Sequence, residues 1–241
     1  RLGYAAGAIT RETRYTRYVG AGRMLRSHST AMVPPALRQL AGDRPPAGPG
    51  GVLLACPGMV YRRDAIDWQH TGTPHQLDLW RITPAPATDA DLDEMIVCLL
   101  EALAPGLPYR HEPRVHPYTE RGRQVDVRHD GRWVEVWECG LAHRGVLAAA
   151  GLPGYGGLAL GMGLDRLVMT LKDIPDIRYL RSTNPKIAEQ MTNLEQYREV
   201  SNQPAIKRDL SYSVPKGYVE EDISADIRDA LAANHNRLSC Q

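Results

Sequence analysis

Arg62 leaves an apolar run in MVYRRD, and Gln76 and Asp78 follow in HQLDL. A guanidinium keeps its proton at physiological pH and can pair bidentately with a phosphate. Gln76 and Asp78 are spaced i, i+2, so on a strand they face the same way. A carboxylate beside an amide oxygen suits an ammonium group, which offers only donors. The same pattern would also serve a plain hairpin with solvated charges. Arg166, in GLALGMGLDRL, stands where glycines admit a close ligand and a helix start favours anions. Tight packing of helix on sheet would use the same glycines. His28, in LRSHST, precedes two hydroxyls that read equally well as helix caps with His28 exposed. Glu135, in WVEVWEC, shares a strand face with Trp133 and Trp137 by the period of two. It is either a cross-strand ion-pair partner or, beside a triphosphate, a ligand for Mg²⁺.

Elements must hold these side chains in place. Ser29-Thr30, then Pro34-Pro35 and ALRQL, predict a helix with a hydroxyl cap and early proline. Residues 42–50 (GDRPPAGPG) form a loop. GVLLACPGMVYR predicts a buried strand entering a turn, and LDLWRI (77–82) returns as its partner. Thr88 opens a helix in which Leu92, Met95, Ile96, Leu99, Leu100 and Leu103 recur until Pro105-Gly106 stops it. QVDVR (124–128) and RWVEVWEC (132–139) flank Asp130-Gly131, a hairpin signal. GYGGLALGMG (154–163) predicts a glycine-rich turn into the helix LDRLVMTL. Strands, long helices and a hairpin together indicate an α+β fold, an antiparallel sheet flanked by helices. Near residue 200 the character changes. PAIKRDLSYSVP predicts a strand and EEDISADIRDAL a helix, a second small domain.

Composition narrows the classes. A formal net charge of +1 gives no global field for nucleic acid, so RNA contacts would come from local patches such as Arg11, Arg14 and Arg17, or Lys207 and Arg208. Cys56, Cys98, Cys139 and Cys240 lack metal-binding or framework spacing, which fits a reducing cytoplasm. No stretch approaches the roughly 18 apolar residues of a membrane span, and no signal peptide is evident. The abrupt start at Arg1-Leu2 suggests missing upstream sequence. The 241 residues include no Phe beside 11 Tyr and 4 Trp, an unusual balance of aromatics.

In order and spacing, VYRRD, QHTGTP, HQLDL, VHPYTE, WVEVWECGLAHRGVL, GLALGMGLDRL and DIPDIRYL resemble the catalytic subunit of phenylalanyl-tRNA synthetases, from about Met24 to Met191. The resemblance implies the class II antiparallel sheet, a catalytic core over 1–192 and a partial ferredoxin-like anticodon-binding segment over 197–241. It implies ATP and Mg²⁺, an amino-acid substrate and tRNA, with a homodimer or partner subunit possible and a cytoplasmic location. Arg62 matches the motif 2 arginine on the α-phosphate, and Asp64 belongs to the same ATP-binding segment. Arg166 matches the motif 3 arginine on the γ-phosphate and adenine. His70 matches a loop histidine near the outgoing phosphates, and Glu135 a carboxylate close to Mg·ATP. His28 and Thr30 match residues that contact the amino acid, and Gln76 and Asp78 the pair that receives its amino group.

Departures cluster in the side-chain pocket. His116, Tyr118, Leu158 and Leu160 stand where the family has phenylalanines, while Ala159 keeps the floor position. Polar wall groups favour a polar or hydroxylated aromatic amino acid over phenylalanine. Asp78 is shorter by a methylene than the family's Glu, Pro74 replaces an adenine-stacking ring, and Leu79 replaces a glycine. The dimer-forming motif 1 is not recognisable. Three readings remain open: a tRNA-charging synthetase, an adenylating paralogue with a non-tRNA acceptor, and a non-catalytic module.

Overall fold

The computed structural model describes residues 2–43, 45–63, 65–201, 209, 211 and 213–238. In chain order the regular elements are β1 (Tyr18–Gly20), β2 (Arg23–Met24), α1 (Val33–Asp43), β3 (Val52–Met59), β4 (His75–Thr83), α2 (Asp89–Leu103), β5 (Tyr109–Pro113), β6 (Thr119–His129), β7 (Arg132–Ala142), α3 (Arg144–Ala149), β8 (Gly156–Gly163), α4 (Leu164–Leu171), α5 (Pro185–Ala188) and α6 (Glu220–Leu238). The chain divides into two compact units, Arg1–Val200 and Ser201–Gln241. The first holds a six-stranded sheet in the order β3-β4-β8-β7-β6-β5, antiparallel at every pairing.

Alternation along the strands gives the sheet two apolar faces. Leu158, Leu160 and Met162 of β8 pack with Leu92, Ile96 and Leu100 of α2. Ala159, between them, joins Trp80, Leu37 of α1 and Leu147 of α3 on the opposite face. Each of the three α2 side chains is buried, contributing about 2 kcal/mol. Thr88 starts α2 with a capping box: its hydroxyl accepts from the Asp91 N–H, and the Asp91 carboxylate accepts from the Thr88 N–H. Thr88→Ala should therefore cost about 1 kcal/mol, read as a lower denaturant midpoint at unchanged slope.

The β6–β7 hairpin turns where expected. Asp130 (φ 45°) and Gly131 (φ 69°) both occupy the left-handed region that a two-residue primed turn requires.

Three expectations are corrected. β3 is not a buried strand but a sheet edge, with Leu53 63% exposed. Pro57 within it has no N–H to donate and is tolerated there because the strand has a single neighbour. GYGGLALGMG is no turn: β8 is hydrogen-bonded between β4 and β7. A Cβ at Gly157 would stand 2.2 Å from the Arg81 carbonyl oxygen, so that strand contact needs glycine. Ser29 and Thr30 do not cap α1. They open a 3₁₀ turn, Ser29–Met32, whose flanking residue His28 makes no side-chain cap bond.

In the second unit the expected helix is present as α6, with Glu220, Glu221 and Asp222 in its first turn, where the helix dipole favours acidic groups. The expected strand PAIKRDLSYSVP falls largely outside the described residues. Among the described residues, no helix is long and apolar enough to cross a membrane, and no group of three His, Cys, Asp or Glu side chains could hold a metal ion. Cys56, Cys98 and Cys139 are free thiols.

Candidate active site

Antiparallel pairing of β3 and β4 continues past the strand ends. Val60 N–H donates to the Pro74 carbonyl (2.9 Å) and Arg62 N–H to that of Gly72 (3.0 Å). Arg62 thus sits at the base of the connecting loop. Its Nε donates to the Ser27 carbonyl (2.9 Å) and its Nη2 lies 3.1 Å from His28 Nδ1. Arginine only donates, so Nδ1 accepts and His28 is neutral with its proton on Nε2. Burial, helped by the Arg62 charge, lowers the His28 pKa to about 4.

That shift sets a testable sign. Between about pH 4 and the usual 6.5 an unfolded His28 binds a proton that the folded one refuses. Stability from this site is whole above the upper value and is lost as pH falls toward the lower. His28→Gln should flatten the fall in denaturant midpoint across that window, and imidazole NMR should show His28 neutral at pH 5.

The segment after His28 docks on β4. Ser29 N–H donates to Gln76 Oε1 (3.2 Å), and the hydroxyls of Ser29 and Thr30 both donate to Asp78 Oδ2, that of Thr30 at 3.2 Å. These are the hydroxyls expected as helix caps. A buried carboxylate requires donors more strongly than an exposed helix end does. Asp78 is 2% exposed, and its burial raises the carboxyl pKa against the lowering effect of the two hydroxyls.

Arg166 enters from the first turn of α4. Its Nε donates to the Gln69 carbonyl (3.3 Å), and its Nη1 lies 3.4 Å from both the carbonyl and the carboxylate of Glu135. The neighbouring Asp165 carboxylate accepts from the His75 N–H (2.6 Å) and from Arg181 (3.2 Å), tying α4 to the start of β4. His70 is held by Asp67 through Nδ1 (2.8 Å). Burial raises the Glu135 pKa, with Arg166 opposing.

The face expected for Glu135 is corrected by a β-bulge. The β6–β7 register slips between Val125 and Asp126, leaving Val136 as the extra residue. Val136 and Trp137 both pack in the core beside α2, so Trp137 is not on the face of Glu135. Glu135 and Glu138, three residues apart, both line the cleft instead. Glu138 is bound by His116 Nε2 (2.5 Å) and Arg114 Nε (2.7 Å). Burial would raise its pKa, but these two partners outweigh that and hold it below the usual carboxylate value.

One cleft of about 340 Å³ collects His28, Thr30, Arg62, His70, Gln76, Asp78, His116, Tyr118, Glu135 and Arg166. Ala159 is not among its walls; it borders a separate cavity of about 10 Å³ beneath Trp80 and Tyr118. Asp64 lies outside the described residues. Sequence reasoning missed Tyr4, Ser29, Arg114 and Glu138, all of which line the cleft. Only Ser29 carried a signal, its hydroxyl beside Thr30.

Together the cleft presents the guanidiniums of Arg62, Arg114 and Arg166, the buried Asp78 carboxylate with the Gln76 amide, and the further carboxylates of Glu135, Glu138 and Asp165. Residues 9–191 match the model of the "tRNA synthetases class II core domain (F)" family, and the chain belongs to that class. It is 34% identical over 182 residues to the phenylalanine–tRNA ligase alpha subunit of Nostoc punctiforme, covering 75% of this chain and 52% of that protein. The same subunit from Synechocystis sp. is 31% identical over 191 residues, covering 78% of this chain and 55% of that protein. That from Psychrobacter arcticus is 35% identical over 179 residues, with 73% and 48% covered. The chain spans about half the length of the curated relatives it matches.

Proposed function

We propose that this chain activates an amino acid with ATP, forming an aminoacyl-adenylate and pyrophosphate, and passes the aminoacyl group to tRNA. The observation that carries this reading is the placement of Arg62 and Arg166 on the cleft that also holds Asp78 and Gln76. The amino group binds at Asp78 and Gln76, which leaves the carboxylate directed toward Arg62. A carboxylate oxygen attacks the α-phosphorus, the bond to the bridging oxygen breaks, and pyrophosphate leaves with its electron pair. Arg62 absorbs charge on the α-phosphate and Arg166 on the outer phosphates, with His70 beside the leaving group. His28, as a neutral acceptor, keeps the Arg62 guanidinium in place.

Mg²⁺ usually takes one or two carboxylates and completes its shell with phosphate oxygens and water. Glu135 fits that need: it is on the cleft, and its contact with Arg166 is long at 3.4 Å. Bound there, the ion would supply charge neutralisation on the phosphates.

The core over 1–192 carries the chemistry in this reading, and residues 197–241 form an appendage with ferredoxin-like character and RNA contacts. The relatives are named as alpha subunits, so a second subunit is the expected partner. The altered side-chain pocket, with His116 and Tyr118 on the cleft, supports a second reading, in which the adenylate serves a non-tRNA acceptor.

Amino-acid-dependent exchange of labelled pyrophosphate into ATP tests the proposal. Exchange with at least one amino acid supports it; none across the full set, with ATP and Mg²⁺ saturating, ends it. Where exchange occurs, incubation with total tRNA separates the two acceptors, since only the first reading gives acid-precipitable aminoacyl-tRNA.

A further inference from the structure

The segment ahead of His28 carries charge that adenylation does not use. Between residues 10 and 26 stand five arginines and one glutamate, in a chain whose formal net charge is +1. Arg11, Arg14, Arg17, Arg23 and Arg26 are exposed, and so is Arg63, which follows Arg62. Of the nearby carboxylates, Glu12 pairs with Arg14 and Asp67 with His70. Among the described residues, no carboxylate pairs with the other five guanidiniums. These arginines are held beside the cleft. β1 and β2 form a hairpin, Tyr18 opposite Met24. Tyr61 N–H donates to the Arg26 carbonyl (2.8 Å) and Arg63 N–H to that of Tyr15 (3.3 Å), so the chain leaving β3 runs along this segment. Arg17 Nε donates to the Arg62 carbonyl (3.0 Å). Gly72 leaves space for that side chain: a Cβ there would stand 2.8 Å from Arg17 Nη2.

An open groove of about 620 Å³ is lined by Thr16, Arg17, Tyr18, Val19, Leu25 and Arg63. Arg17 thus belongs to the groove and is bonded to Arg62, which belongs to the cleft. Exposed guanidiniums with so few carboxylates fit a polyanion, and their spread along one groove fits a chain of phosphates. The core of a protein–protein contact is depleted in charge, so a protein partner fits this surface less well. Tyr18 adds a place for an unpaired base. Its ring is 54% exposed and meets no other ring among the described residues, as a stacking platform requires. Duplex RNA keeps its bases stacked inside and would leave that ring unused.

We propose that the β1–β2 hairpin and Arg63 bind the single-stranded acceptor end of an RNA, its phosphates on the arginines and a base on Tyr18, and lead that end to the cleft at Arg62. The proposal rests on the tRNA-charging reading and assigns the surface of the core that receives the acceptor.

The test is fluorescence anisotropy with two labelled probes, total tRNA and a single-stranded RNA of about 10 nucleotides. Each is titrated with the full chain and any partner subunit it requires. Arg14, Arg23 and Arg63 are changed together to glutamine, and Arg38, Arg144 and Arg198, exposed elsewhere, are changed as a matched control. Three phosphate contacts to a single strand carry a slope of about 2 in log Kd against log salt, or about 100-fold in Kd at about 0.1 M salt. The first variant, checked for native circular dichroism, should lose that affinity and that slope for both probes, and the control less than about 3-fold. Arg23→Gln alone, at the hairpin, should cost about 5-fold, which keeps the test decisive if the triple variant does not fold. Tyr18→Ala should weaken binding about 10-fold, and Tyr18→Trp should restore it. Equal losses in the two triple variants overturn the proposal, because the charge would then act without a site. Parental affinity in the first variant overturns it too, and lost association with a partner subunit beside that result would make the hairpin a protein contact. Binding is read without ATP and exchange without RNA, so failure of adenylation and failure of this surface are separate results.

Discussion

Replacing Arg62 by alanine should lower kcat for amino-acid-dependent pyrophosphate exchange by about 10²–10³-fold, the range seen when one preorganised donor to a developing charge is removed. The size of the effect follows from how the side chain is built in. Its Nε is committed to the Ser27 carbonyl and its Nη2 faces neutral His28, so the guanidinium plane is fixed before substrate arrives. Water in its place would have to reorganise as charge moves to the leaving pyrophosphate. Arg62→Lys should rescue little, because an ammonium on a flexible stem cannot hold the Ser27 contact and face phosphate bidentately as well. The alanine variant should also loosen residues 27–30, so KM for the amino acid rises alongside. Steady-state exchange on variants checked for native circular dichroism decides the matter. A loss below about 5-fold would sink the assignment of Arg62 to the α-phosphate.

Much of the scaffold was legible because its signals are local. Asp130-Gly131 needs positive φ at two successive residues, and few pairs tolerate that. Thr88 with Asp91 three residues later marks a helix start that tertiary contacts do not override. What escaped depends on partners distant in sequence. Ser29 and Thr30 have ideal capping chemistry, but Asp78, far along the chain and buried, takes both hydroxyls. The period of two places Glu135 beside Trp137; one extra residue, Val136, moves Trp137 into the core and lets Glu138 into the cleft. No pattern within β7 announces that bulge, because it is set by pairing with β6. The polar character of the pocket could be read from His116 and Tyr118. That Trp80 lies against Ala159 could not, since this is a cross-strand pairing between β4 and β8. The edge position of β3 is the intermediate case: Pro57 was a usable signal that its apolar neighbours obscured.

Asp78→Asn is the second substitution with a large expected effect, and it should move binding and stability in opposite directions. Asp78 is buried and accepts from the hydroxyls of Ser29 and Thr30, which carry no charge. Burial accordingly holds its pKa above the usual carboxylate value. For a carboxyl with a raised folded pKa, the folded state binds the proton more tightly than the unfolded one. This site therefore costs stability as pH rises through that folded value, opposite to the usual case of a paired carboxylate. The substrate ammonium would supply the missing counter-charge. Asparagine keeps the shape and one acceptor but loses the charge, and losing one partner of a buried charge pair costs about 2–5 kcal/mol. KM for the amino acid should rise on the order of 100-fold while KM for ATP stays within about 2-fold. In the absence of substrate, the variant should be at least as stable as the parent at pH 7, with the difference narrowing under acid, because the strain removed is that of an ionised group without a cation. Exchange kinetics and denaturant midpoints at pH 7 and pH 4 measure both halves. A variant that loses stability at pH 7 with no change in amino-acid KM would make Asp78 a structural anchor for residues 29 and 30, and would move the ammonium site elsewhere in the cleft.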